Sequence, residues 1–185
     1  MALRTHRISL FLTVAFSGLS LISLAVAEDY SSEIKNKSVQ AEIINNDAKK
    51  IGMITVRKAS GGVLIHIKAQ NMPAGFHGMH FHKKGDCSDH MSFKSAEGHI
   101  DPHSKPHGFL NIKGPHEGNL PNLIVGKDGT VEVELYSTLV TIGEGDSDLI
   151  DEDGSALIVH INPDDHFSQP IGGSGGRIAC AVIRK

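Results

Sequence analysis

Apolar and polar positions alternate along this chain or fall into short apolar runs, and almost nowhere follow the three-to-four spacing of a helix. Thr130–Leu135 is the clearest case. Val131, Val133 and Leu135 point one way and Glu132 and Glu134 the other, as in a strand wet on one face. The same reading predicts strands over Val39–Ile44, Ile51–Arg57, Val63–Ala69, Phe76–His82, Thr130–Tyr136, Ala156–Ile161 and Arg177–Ile183. Asn45-Asn46-Asp47, Ser60-Gly61-Gly62 and Lys127-Asp128-Gly129 supply turn chemistry between them. No stretch of ten or more residues carries helical periodicity, so the expected fold is all-β, a sandwich or barrel.

Three segments escape the alternation. Residues 83–122 and 162–176 are long and rich in Gly and Pro, and the first also carries Lys and His, so both are expected to be functional loops. Residues 143–154 hold six acids without the ligand spacing of a calcium loop, and are expected to be a solvated turn. The chain begins differently. Arg4 and Arg7 precede a mostly apolar stretch, residues 8–24, closed by Ala25-Val26-Ala27, which is the pattern of a secretory signal peptide cleaved after Ala27. Ser9, Thr13, Ser17, Gly18, Ser20 and Ser23 dilute that stretch and argue against a membrane anchor. The expected organisation is a signal over 1–27, a loose arm over 28–38 and one β-domain over 39–185, periplasmic or secreted, with no membrane association after cleavage.

Composition narrows the chemistry. The formal charge of −3 becomes −5 once residues 1–27 are removed, which argues against a nucleic-acid partner. Cys87 and Cys180 are the only cysteines, and in an oxidising compartment such a pair reads as a disulfide, the alternative being two buried thiols. Closing a loop of 93 positions would stabilise the fold by roughly 4–5 kcal/mol. Twelve histidines in one modest domain ask for a metal. His80 and His82, two apart on a predicted strand, leave the same face. His99, His107 and His116 are spaced too irregularly for a helix face but suit a loop wrapped around an ion, with Gly98, Gly108 and Gly118 beside them. His160 ends an apolar strand, where a buried imidazole must be hydrogen-bonded or ligate something. Asp164 follows as a carboxylate able to orient a ligating ring.

Gly75-Phe-His77-Gly-Met-His80-Phe-His82 with Gly85-Asp86-Cys87, Ala96-Glu-Gly-His99-Ile-Asp-Pro102, Gly154-Ser-Ala-Leu-Ile-Val-His160 and Gly173-Ser-Gly-Gly-Arg177-Ile-Ala-Cys180 occur here in that order. Together they resemble the copper/zinc superoxide dismutases, and the export signal and Gly-Asp-Cys placement are similar to the bacterial periplasmic branch. The resemblance implies a Greek-key β-barrel or sandwich of about eight antiparallel strands, with long metal-binding and electrostatic loops. It implies an enzyme that converts superoxide, a small anionic substrate, to oxygen and hydrogen peroxide with copper and zinc as cofactors. It assigns copper to His80, His82, His99 and His160, and zinc to His99, His107, His116 and the position of Asn119, with His99 shared. It makes Cys87–Cys180 the disulfide, Asp164 the link between the two sites, and His77 a structural residue. His99 and Arg177 become the catalytic side chains, His99 as proton carrier and Arg177 over the copper channel. Lys83, Lys84 and Lys94 are candidates for steering, the alternative being solvated surface lysines. A homodimer is compatible with the family and its surface is not fixed by the sequence. One departure stands out: the family carries Asp where this chain has Asn119, which removes a negative charge and predicts weaker zinc binding.

Overall fold

The computed structural model describes residues 38–185. The expected export signal, 1–27, and residues 28–37 of the expected arm lie outside the described residues.

Nine strands carry the fold among the described residues: β1 (Ser38–Asn45), β2 (Lys50–Ala59), β3 (Gly62–Ala69), β4 (Gly75–His77), β5 (Met79–His82), β6 (Leu123–Val125), β7 (Val131–Ser137), β8 (Ser155–His160) and β9 (Arg177–Ile183). One 3-10 turn, Lys94–Ala96, is the only helical element among the described residues. Seven strands form one antiparallel sheet in the order β5-β8-β9-β1-β2-β3-β7, and β4 and β6 form a second, two-stranded sheet. The long sheet curls, because β5 continues β4, β4 pairs with β6, and β6 lies against β7 at the far edge.

The sequence predicted a single strand over Phe76–His82; the structure breaks it at Gly78. That residue donates its N–H to Asn162 and accepts from His160 N–H, both at 2.8 Å, so the chain leaves the β4–β6 sheet and joins β8. A Cβ at Gly78 would stand 2.4 Å from Ser174 Oγ, so only glycine makes this passage. Strand β6 was not predicted: three residues are too few to show a period.

Alternation sorts side chains onto the two faces of the sheet. Ile43, Ile54, Val56, Ile65, Ile67, Met79, Phe81, Leu157, Val159, Ala181 and Ile183 fill the interior of the curl. Each large side chain buried there contributes about 1.5–3 kcal/mol. The opposite face of β8 and β9 is buried too, since Ala156, Ile158 and Cys180 pack against Cys87, Phe93 and Ala96 of the long loop. That covering explains why β8 reads as continuously apolar: every residue in it is buried. Cys87 and Cys180 are disulfide-bonded with their Cα atoms 6.0 Å apart, which fastens the loop to β9. In the acidic segment the expected solvated turn is only partly found, because Leu149 and Ile150 turn inward and join the core.

Candidate metal centre

On β5, Met79 and Phe81 face the interior, so His80 and His82 must face out, beneath the loop. Register places His80 opposite Ile158 and His82 opposite Ala156, and His160 closes β8 two residues beyond Ile158. The loop then pairs back along β5. Ile100 N–H donates to Phe81 O and Phe81 N–H to Gly118 O, both at 2.9 Å, which brings His99 across from His82 and Asn119 across from His80. Of the three glycines beside the loop histidines, Gly108 and Gly118 have backbone too close for a Cβ, while Gly98 has open space.

Two clusters of ring nitrogens result. One atom each from His80, His82, His99 and His160 lie mutually within 4.8 Å, as do atoms from His99, His107 and His116. His99 belongs to both, its ring stacked on His80 with centroids 4.1 Å apart. In the first cluster one nitrogen of each strand-borne ring is spoken for. His80 Nε2 contacts Asp164 Oδ2 at 2.8 Å, His82 Nδ1 the Glu97 carbonyl at 2.8 Å, and His160 Nδ1 the Gly175 carbonyl at 2.9 Å. The other nitrogens, His80 Nδ1, His82 Nε2 and His160 Nε2, are buried without a partner, and so is His99 Nε2. Four buried nitrogens that converge without a protein partner are destabilising by themselves and become satisfied around a cation. Imidazole donors suit copper. In the second cluster His116 Nε2 lies 2.9 Å from His99 Nδ1 and 3.2 Å from His107 Nδ1. Those contacts approach the roughly 3.3 Å edge of a tetrahedron with zinc–nitrogen bonds of about 2.0–2.1 Å. Both donor sets therefore fit an ion.

Asp164, fully buried at its side chain, ties the clusters together: Oδ1 reaches His107 Nε2 at 3.0 Å and Oδ2 reaches His80 Nε2. Burial alone would push its carboxyl up, but hydrogen bonds from His107, His80 and the His166 backbone hold it well below the carboxylate range. The imidazoles move the other way. Burial, reinforced by neighbouring rings, lowers His80, His82 and His99, and brings His116 and His160 down to about 4. Uncharged rings are the form that binds a metal.

Arg177 donates to the carbonyls of Phe93 and Glu97, the latter at 2.7 Å, and after burial its charge is a further cause lowering His82 and His160. It thus stands beside the first cluster, propped on the same loop turn that fixes His82. His77 is not among the convergent nitrogens; it contacts the carbonyls of His160 and Pro73, each at 2.8 Å. Lys83 pairs with Glu97 at 3.4 Å, and Lys94 is exposed. His103 and Glu117, near the loop cluster in sequence, pair with each other at 3.0 Å.

Two amide side chains with site roles gave no signal in the sequence. Asn122 brackets the Asp164 backbone, donating to its carbonyl and accepting its N–H, both at 2.8 Å. Gln169 does the same for His107, at 2.9 Å each way. Neither spacing nor residue type marks such clamps, because their partners lie 42 and 62 positions away.

Residues 50–183 match the family model described as copper/zinc superoxide dismutase. A protein from Caulobacter vibrioides named superoxide dismutase [Cu-Zn] is 40% identical over 92% of this chain and 99% of its own. Superoxide dismutase [Cu-Zn] 2 from Aquifex aeolicus is 39% identical over 87% of this chain and 93% of its own. Among solved structures, a SOD-like protein from Bacillus subtilis superimposes with a TM-score of 0.75 at 37% identity, covering 78% of this chain and 97% of that one. The Cu/Zn superoxide dismutase from Brucella abortus does so at 0.66 and 25%, covering 80% and 99%.

Proposed function

The chain belongs to the copper/zinc superoxide dismutase family, and from that premise we propose that it is an exported superoxide dismutase. Copper at His80, His82, His99 and His160 would supply the one-electron chemistry that takes one superoxide to oxygen and a second, with two protons, to hydrogen peroxide; zinc would sit at His99, His107 and His116. The observation that carries this reading is the set of buried, partnerless nitrogens on His80, His82, His99 and His160, with the far nitrogen of each strand-borne ring already fixed by an acceptor.

The chain's own residues then have separable tasks. Asp164 and the carbonyls of Glu97 and Gly175 hold three rings in the tautomer that presents a lone pair. His99 holds and returns a proton at Nε2 while its Nδ1 stays with the loop cluster. Arg177 answers the problem of sign. A negative protein repels superoxide, and a fixed guanidinium at the first cluster makes the local potential attractive.

Pulse radiolysis of the metal-loaded protein tests this. Superoxide should decay far faster than it does spontaneously, and the rate should fall as salt is added. Arg177→Ile should keep its copper and turn over markedly more slowly. Copper retention with decay at the uncatalysed rate would instead make this a metal-binding relative without the activity. Export is tested by N-terminal sequencing from the native host, where the first residue should be Glu28. The same reading admits pairing of two copies; a sedimentation mass of one chain would remove that part alone.

A further inference from the structure

The loop cluster has three convergent imidazole nitrogens and, beside them, one more side chain, Asn119, which is 1% exposed. An amide has a single oxygen. Here Oδ1 accepts the Gly108 N–H at 3.3 Å, and Nδ2 faces His107 Nδ1 at 3.2 Å. Turning the amide over does not rescue a ligand role: it would give the oxygen to the ion and set NH2 against the Gly108 N–H, two buried donors with no acceptor. A carboxylate in this place would serve both partners at once. Nor can Gly108 easily withdraw, because its φ is 106° and a Cβ there would stand 2.1 Å from His166 O. No other acid fills the gap. Glu117 gives Oε1 to Lys105 and His103, and its buried, unpartnered Oε2 is not among the convergent atoms; Asp164 reaches the cluster only through the far nitrogen of His107.

We propose that the second centre is a three-imidazole zinc site in which Asn119 is a positioning residue for the Gly108 turn, not a ligand, and a water molecule takes the fourth position. With no carboxylate among its donors the ion has one negative charge fewer around it than a site closed by an aspartate, so it is held less tightly. A fourth position left to water is the arrangement of chemically active zinc, whereas purely structural sites are closed by four protein ligands. This inference rests on the two-metal reading above.

The test is zinc affinity of the metal-free protein, measured by competition with a chromophoric chelator for the native chain, Asn119→Asp and Asn119→Ala. The Asp form should bind at least about tenfold more tightly, and the Ala form about tenfold more weakly than native, the loss ordinary for a partner that positions a ligand. A second measurement needs no variant. With cuprous copper in the strand-borne cluster and cobalt(II) in the other, water enriched in the magnetic oxygen isotope should produce a hyperfine coupling at cobalt. Equal affinity of the native and Asp forms, an Ala form that binds as tightly as native, or absence of that coupling would overturn the proposal. Fast superoxide turnover with any of these results would leave the dismutase reading standing. Failure of every form to bind zinc would end the proposal and the shared-ring reading together.

Discussion

His80, His82 and His160 stand on β5 and β8, whose ladder fixes their backbones, while His107 and His116 stand on a segment with no ladder of its own. In the first group each ring is steadied twice, by the strand under it and by an acceptor on its far nitrogen. In the second, position depends on side chains from elsewhere: Gln169 clamps the His107 backbone, Asp164 holds its ring, and Asn119 holds the neighbouring turn. One protein thus contains a cluster that its sheet preorganises and another that its loops must assemble. The strand cluster should survive losses that dissolve the loop cluster.

The largest test is to cut the loop free. Replacing Cys87 and Cys180 together by Ser should cost about 2–5 kcal/mol, read as a lower melting temperature, and zinc should be lost before copper. Equal loss of both metals would erase the distinction. Asp164→Asn comes next, because an amide cannot accept from two rings at once. Metal titration should show zinc weakened by about 10–100-fold and copper by less, as His80 retains its strand and His107 does not.

Lowering the pH sharpens the comparison differently. His116 and His160, one from each cluster, are held neutral with values of about 4, against the ordinary 6.5 of the unfolded chain. The unfolded state takes protons first, so stability from these rings is complete above 6.5 and is lost as the pH falls towards 4. The metal-free protein should therefore melt earlier across that window, by about 1–2 kcal/mol per ring, and bound metal should delay the loss. A flat profile would show that the rings are not buried as described. Gln169→Ala is the smallest change: losing its two contacts to His107 should cost about 1–2 kcal/mol locally, lowering zinc affinity and leaving copper binding unchanged.

Strand positions were legible because a half-buried strand repeats every two residues, and β7 shows it plainly, with Glu132 and Glu134 exposed and Val131, Val133 and Leu135 turned away from solvent. The residue types of the convergent clusters were legible too, because His80 and His82 share a face by the same period and the motifs around His99 and His160 resemble a known family. The break at Gly78 was not legible, since it is a change of partner from β6 to β8 and the local pattern runs through it. The inward turn of Leu149 and Ile150 was hidden by the acids around them.

The sequence by itself determined the all-β class, the cysteine pair, the histidine inventory and the amide at position 119, all of which are matters of residue type and short-range period. Only the tertiary structure decided that Asp164 spans both clusters, that Asn122 and Gln169 clamp the loops, and that the Asn119 oxygen is committed to Gly108. Those are contacts between segments tens of residues apart. A hydrogen bond needs its partners within about 3 Å, a distance the curl of the sheet sets and the order of residues does not.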